Sequence, residues 1–198
     1  LGGGIVGGSA ILVGGDPGIG KSTLLLQVFE KLAGRGLKVL YVSGEESARQ
    51  IKLRGKRLGA SSKDLMIVVE VELENLIKHI QDSKAQIVVI DSLTLFTEYA
   101  ETDAILTFFT SCKSLVDHGK TILVTLHTYA FEEDTLVRIR SISDAHLNMK
   151  KALVGDKYVM VMEVNKVRGA RKTTCNLVSF EVHPGYGMKV IPMSFARV

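Results

Sequence analysis

Ala10-Ile11-Leu12-Val13-Gly14-Gly15-Asp16-Pro17-Gly18-Ile19-Gly20-Lys21-Ser22-Thr23 is the stretch whose reading decides the fold. Ala10 to Val13 is a short apolar run of the kind a fully buried strand shows. It runs into a loop with glycine at 14, 15, 18 and 20 and proline at 17, which interrupts regular structure. Beyond it, Lys21 to Leu32 carries Leu24, Leu25, Val28 and Leu32 at helical spacing with no internal Gly or Pro, and Gly34 and Gly36 close the segment. Strand, glycine loop and helix in that order are what a phosphate-binding loop needs. Gly15 to Ser22 fits G-x-x-x-x-G-K-[ST] at every fixed position.

Each of those positions has a physical reason. The glycines let backbone N–H groups turn inward around a β-phosphate, Lys21 reaches the β- and γ-phosphates, and the Ser22 hydroxyl ligates Mg²⁺. The helix that starts at Lys21 adds the positive end of its dipole. Gly15, Asp16, Pro17, Gly18, Ile19, Gly20, Lys21, Ser22 and Thr23 are therefore assigned to binding ATP or ADP with Mg²⁺. The competing reading, a glycine-rich turn followed by a chance Lys-Ser, does not account for the full pattern in this setting.

The same alternation continues outward. Lys38 to Val42 reads as a strand, Glu46 to Leu58 as a charged helix and Leu65 to Val69 as a strand; Leu73, Leu76, Ile77 and Ile80 form one apolar helix face. Gln86 to Ile90 is a strand ending at Asp91, and its continuous apolar run suits a parallel sheet covered on both faces. Asp103 to His118 is a helix with Ile105, Phe108, Phe109, Cys112, Leu115 and Val116 on one stripe, followed by the strand Thr121 to Thr125. From about Asp144 the helical rhythm fades, and Tyr158 to Val164, Leu177 to Val182 and Met188 to Ile191 read as strands joined by turns. The expected fold class is α/β, a mostly parallel central sheet flanked by helices with a β-rich C-terminal edge.

Composition narrows the class further. The chain has 198 residues, 46% hydrophobic and 23% charged, enough to bury a core and too apolar for disorder. With no linker or internal repeat, it is expected to form a single domain over residues 1–198. No apolar run approaches the ~18 residues that span a bilayer, and the opening glycines do not form a signal segment, so a cytoplasmic protein without membrane insertion is expected. Cys112 and Cys175 have no CxxC spacing and read as free thiols, Cys112 in the core. The net charge of +4 and isoelectric point near 9.0 permit polyanions but do not select one.

Other residues are candidates for the rest of a nucleotide site. Asp91, at the carboxyl end of its strand, sits at the sheet edge where the loop lies and suits Mg²⁺; an Asp capping the next segment is the alternative. Glu45 and Glu46 follow the second strand, where a carboxylate can orient or deprotonate an attacking water, with Glu45 ahead of Glu46. Adjacent glutamates near a helix start are also ordinary dipole partners. His127, just past the strand Thr121 to Thr125, is a candidate γ-phosphate sensor or a structural histidine. Lys166 and Arg168 alternate onto one face, either as a solvated edge or as fingers on the γ-phosphate of a neighbouring subunit. Lys52, Arg54, Lys56 and Arg57, and separately Arg171 and Lys172, lack interleaved aromatics and read as solvated cations.

Taken together these residues resemble the RecA/KaiC superfamily of P-loop ATPases. From Leu1 to about Asp91, Leu1-Gly2-Gly3-Gly4-Ile5-Val6, the loop from Gly14 to Gln27 and Tyr41-Val42-Ser43-Gly44-Glu45-Glu46-Ser47 are similar to the bacterial DNA-repair ATPases of the RadA (Sms) family. From about Asp91 to Val198, Phe108-Phe109, Gly119-Lys120-Thr121-Ile122, Arg138-Ile139-Arg140-Ser141-Ile142, Asp144-Ala145-His146, Val154-Gly155-Asp156-Lys157 and Lys166-Val167-Arg168-Gly169-Ala170 are similar to the archaellum accessory ATPases of the FlaH family. The chain lacks the Lys-Asn-Arg-Phe-Gly segment of the first family, and Gly44-Glu45-Glu46 departs from the second. This double resemblance implies an engineered chimera of the two portions, with a natural relative carrying both as the alternative.

The resemblance implies a RecA-like fold, catalytic carboxylates at Glu45 and Glu46, trans-acting fingers at Lys166 and Arg168, and a hexameric ring with nucleotide between subunits. It admits DNA or archaellum motor proteins as partners. The expected chemistry is weak ATP hydrolysis, with a nucleotide-binding scaffold or switch and a DNA-binding motor as the alternatives.

Overall fold

The computed structural model describes residues 5–59, 65–98, 100–154, 157–169 and 176–191. Leu1 to Gly4, Gly155-Asp156, Ala170, Arg171, Lys172 and Cys175 lie outside the described residues. The helices are α1 (Lys21–Ala33), α2 (Ala48–Arg57), α3 (Leu73–Asp82), α4 (Thr102–Asp117) and α5 (Glu133–Ile142). The strands are β1 (Ala10–Gly15), β2 (Val39–Ser43), β3 (Leu65–Val69), β4 (Ile87–Asp91), β5 (Thr121–Leu126), β6 (Ala145–Val154), β7 (Lys157–Val167), β8 (Asn176–His183) and β9 (Gly187–Ile191). Short 3₁₀ segments follow β4 and β5, at Leu93–Glu98 and Thr128–Ala130.

Among the described residues, all nine strands join one sheet in the order β3-β2-β4-β5-β1-β6-β7-β8-β9. The strands from β3 to β6 run parallel, and β6 to β9 continue antiparallel. The reason lies in the pleat: successive residues of a buried strand face opposite sides, so both must be apolar and both must be covered. Ala10 and Leu12 enter the cluster under α3, α4 and α5 with Leu76, Ile80, Phe108 and Cys112. Ile11 and Val13 enter the opposite cluster with Leu25, Phe29 and Ile51 from α1 and α2. Burying side chains of this size contributes roughly 1.5–3 kcal/mol each. The strand ends that carry the polar candidates are thereby held by two dry layers.

Three elements differ from the sequence expectation. α2 begins at Ala48, two residues later than Glu46, because Ser47 caps it and Gln50 returns the hydrogen bond to the Ser47 N–H at 2.9 Å; Glu46 therefore lies in the preceding loop. α5 was not legible because only Thr135, Leu136 and Ile139 are buried, too few to set up an apolar stripe, although the acids of its first turn favour a helix start. β6 was not legible because its inward positions include His146, and Asn148, Lys150 and Lys151 break the apolar run.

The antiparallel end of the sheet is fastened to α1. Gln27 donates to Tyr186 O at 3.2 Å and accepts from the Met188 N–H at 2.9 Å. Gly187 sits here at φ 78°, and a Cβ on it would lie 2.6 Å from Gln27 Oε1, so the turn between β8 and β9 requires glycine. This docking carries Val182 of β8 to the start of α1, beside the loop.

Candidate functional site

The loop between β1 and α1 opens at the carboxyl edge of the parallel strands, the usual ligand edge of such sheets. Gly15 faces Met149 of β6 so closely that a Cβ would lie 2.4 Å from Met149 O, and Gly20 is at φ 111° with its Cβ position 2.8 Å from Val182. Neither position admits a side chain. α1 has no side-chain cap at its N-terminus and no acid in its first turn, which leaves the N–H groups around Lys21, Ser22 and Thr23 and the positive dipole end for an anion.

Lys21 is 5% exposed. Its ammonium donates to Gly15 O at 2.7 Å and Asp16 O at 2.9 Å. Burial lowers its pKa to about 8, against the opposing pull of Asp91, Glu45 and Asp16. A partly desolvated cation at a helix N-terminus is electrostatically unfavourable unless anions are near, and that is the condition a phosphate relieves.

A cleft of about 360 Å³ is lined by Pro17, Gly18, Gly20, Lys21, Ser22, Thr23, Glu45, Glu46, Arg54, Asp91, Ser92, His127 and Val182. The fold thus brings together Pro17, Gly18, Gly20, Lys21, Ser22, Thr23, Glu45, Glu46, Asp91 and His127, ten of the candidates read from sequence. Asp91 ends β4 and is held from both oxygens: Tyr41 donates its hydroxyl to Oδ2, and Thr125 donates to Oδ1 at 2.7 Å. Burial first, and the adjoining Asp91 charge next, raise the Tyr41 pKa well above that of a free phenol, so it stays a donor.

The two glutamates differ. Glu46 forms an ion pair with Arg54 of α2, and its own N–H donates to Ser43 Oγ at 2.9 Å. Glu45 accepts from Ser92 Oγ at 2.5 Å and makes no ion pair among the described residues. His127 donates its backbone N–H to Thr94 Oγ1 at 2.9 Å and stacks on Tyr129 with ring centroids 5.5 Å apart. Burial, then the neighbouring Lys21 charge, lowers its pKa. The imidazole is therefore neutral at pH 7 and can carry a single N–H donor.

Lys166 and Arg168 are not in this cleft. Lys166 pairs with His146, which aligns with Leu12 on β1, so it lies toward the opposite edge of the sheet. Its ammonium donates to Arg140 O at 3.1 Å, Ser141 O at 3.3 Å and Ser143 O at 2.7 Å, the carbonyls at the end of α5. Arg168 lies one residue beyond β7 and donates to Asp144 Oδ1 at 3.1 Å and Ser141 O at 3.3 Å. Asp144 also accepts from the Ala10 N–H at 2.9 Å and from Lys113 at 3.1 Å.

Sequence reasoning missed Tyr41, Thr125 and Ser92, and it read Arg54 as a solvated cation. Polar groups at strand ends beside Asp91 were the one available signal for the first two. Nothing in local spacing pairs Arg54 with Glu46 across eight positions.

The donors fit a nucleoside triphosphate: an uncapped helix start, an inward lysine, and a hydroxyl and a carboxylate at Ser22 and Asp91. No cluster of three or more metal-ligating side chains occurs among the described residues. A family model described as an AAA domain matches residues 1–129. The chain belongs to the AAA domain family.

Among curated proteins, this AAA-domain chain is 51% identical over 105 residues to DNA repair protein RadA of Aquifex aeolicus, covering 52% of the chain and 23% of that protein. It is 53% identical over 93 residues to DNA repair protein RadA of Bacillus subtilis, covering 47% and 20%. The matched stretch thus spans about a fifth of the length of those relatives. Among solved structures, flagellar accessory protein FlaH from Methanocaldococcus jannaschii superposes with a TM-score of 0.84 at 19% identity, covering 97% of this chain and 93% of that one. A KaiC-like protein from Pyrococcus horikoshii gives 0.78 at 22% identity, covering 96% and 92%. The AAA-domain chain shares the RecA-like fold of these two neighbours, a mostly parallel central sheet flanked by helices. No helix among the described residues is long and apolar enough to cross a membrane.

Proposed function

We propose that this AAA-domain core binds ATP or ADP with Mg²⁺ and hydrolyses ATP, slowly as a monomer and faster where a second copy completes the site. The observation that carries the reading is the convergence of Lys21, Ser22, Asp91 and Glu45 on one cleft, where, among the described residues, Glu46 is in an ion pair and Glu45 is not. Ser22 and Asp91 would hold Mg²⁺, which supplies charge neutralisation to the phosphates when bound. Lys21 supports charge on the transferred phosphoryl group, and Glu45 orients the attacking water and takes its proton. Ser92 fixes the Glu45 carboxylate, and Tyr41 and Thr125 orient the Asp91 carboxylate by donating to one oxygen each. His127 senses the γ-phosphate as a neutral donor. Lys166 and Arg168 act on a neighbour's nucleotide, as their distance from their own loop supports, in a ring of copies.

Glu45→Gln tests this. The expected outcome is Mg-ATP affinity within about threefold of the parent, with phosphate release reduced by about a hundredfold or more. Glu46→Gln should cost less than a tenth of that reduction, because its carboxylate serves Arg54. Equal release from parent and Glu45→Gln would overturn the assignment.

A second reading is supported by the engagement of Lys166 and Arg168 within their own chain: ATP occupancy sets assembly without useful turnover. Tight binding with no release at any protein concentration would select it. DNA or archaellum proteins as partners rest on the resemblance to DNA repair protein RadA and flagellar accessory protein FlaH; salt-sensitive DNA affinity would support a DNA-binding motor. A single domain over 1–198, a cytoplasmic location and the two-portion chimera belong to the same proposal, the last supported by curated matches that reach about half of the chain.

A further inference from the structure

A groove separate from the nucleotide cleft lies where α3 and α4 begin. It encloses about 490 Å³, against about 360 Å³ for the cleft. Val71 and Leu73 line it from the start of α3, Ala100 and Ala104 from the start of α4, and the buried Phe96 closes its base. The 3₁₀ segment Leu93–Glu98 divides the two hollows: Ser92, just before it, lines the cleft, and Phe96, within it, lines the groove. Val71 is 50% exposed. A concave apolar surface open to water is the usual form of a binding groove.

The charged residues that line the groove are all acids: Glu72, Glu74 and Glu101. Glu72 and Glu101 hold the N-cap positions of α3 and α4, and neither makes a side-chain cap bond. A carboxylate at that position ordinarily bonds the helix N–H groups. Glu72 instead accepts from Asn75 Nδ2 at 2.7 Å, and among the described residues none of the three acids is in an ion pair. Glu74, in the first turn of α3, offsets the helix dipole, which explains one acid there and not the set.

The helical layer on the other face of the sheet has the opposite charge. α2 carries Arg49, Lys52, Arg54, Lys56 and Arg57 and no acid. A cationic partner is therefore repelled from α2 and drawn to the groove. The first N–H groups of α3 and α4 have no acceptor within their helices and border the same groove. A basic peptide segment meets every one of these features: its carbonyls accept from the N–H groups, its cations face the carboxylates, and its apolar side chains cover the walls. A metal ion or a polyamine would leave the apolar walls in water, and a nucleic acid would be repelled.

We propose that this groove docks a segment of a partner protein in which arginine or lysine is interspersed with apolar side chains. No groove residue lines the nucleotide cleft, so the docking stands apart from the ATPase reading.

The probe is a fluorescein-labelled peptide of four Arg-Leu-Ala repeats, titrated with the whole chain and read by anisotropy. The parent is expected to bind it saturably. Glu74→Lys with Glu101→Lys should weaken binding by about tenfold or more. Asp82→Lys with Asp134→Lys makes the same change in net charge at the far end of α3 and on α5, and should leave affinity within about twofold. Val71→Asn should weaken binding by about fivefold with no change in charge. Circular dichroism checks the fold of each variant. Replacing leucine by serine in the probe should lower its affinity for the parent by about tenfold, a comparison that needs no variant to fold. Absence of saturable binding by the parent would overturn the proposal. Equal weakening by the two charge-reversed pairs would overturn it as well, and so would a serine probe that binds as tightly as the leucine one, since either result means attraction by charge without docking.

Discussion

Lys21 and Lys166 both fold an ammonium onto main-chain carbonyls, and they do it at opposite ends of helices. Lys166 sits at the C-terminus of α5, where free carbonyls and the negative dipole end favour a cation. Lys21 sits at the N-terminus of α1, where the dipole opposes it and burial lowers its pKa to about 8. One lysine completes a helix; the other, bonded to two loop carbonyls, is held where an incoming anion would favour its charged form. Charge type alone does not separate structural from functional cations, whereas their position against helix ends does.

Lys21→Ala gives the largest expected separation. Nucleotide affinity should fall by about a hundredfold, since charge-assisted hydrogen bonds contribute about 1.5–3 kcal/mol, while stability in denaturant should not fall. Calorimetric titration and a urea melt on the same protein check both halves. A large loss of stability with affinity retained would reverse the roles.

Lys166→Ala should do the opposite. Removing the donor to three carbonyls at the end of α5 is expected to cost about 1–2 kcal/mol of stability, with single-chain Mg-ATP affinity unchanged. Chemical denaturation read beside calorimetry would show it. If stability were untouched, the capping role would be wrong, and turnover in assembled samples would then report whether the finger role stands without it.

The smallest effect is in pH. The folded pKa of Lys21, about 8, lies below its ordinary value of 10.5. From pH 8 to 10.5 the unfolded chain therefore binds the additional proton, and this lysine makes stability rise with pH across that window. Binding a phosphate favours the charged form, so above pH 8 nucleotide should be bound with proton uptake and with affinity that declines as pH rises. Calorimetry in buffers of different ionisation enthalpy measures the uptake, which Lys21→Ala should abolish.

Much of the site was legible because it is local. The loop from Gly15 to Thr23 is contiguous, and Asp91 is marked by the apolar run that it ends. Glu45 and Glu46 were legible as a pair, but their division of labour depends on Arg54 and Ser92, brought in from α2 and from the end of β4. Tyr41 and Thr125 carry no spacing signal, since each meets Asp91 through register between different strands. α5 and β6 were missed for a shared reason: each mixes charged and apolar residues, and each is held by what it packs against, β6 by β1 and β7 on either side.

The amino-acid sequence by itself determined the alternation of strands and helices and the phosphate loop, because glycine conformations, apolar runs and helical spacing act over a few residues. Tertiary structure decided which carboxylate is paired, which hydroxyls hold Asp91, and that Lys166 and Arg168 lie away from their own loop. Those are contacts between residues 8 to 50 positions apart. They follow from strand order and register, which the chain settles only by covering both faces of the sheet at once.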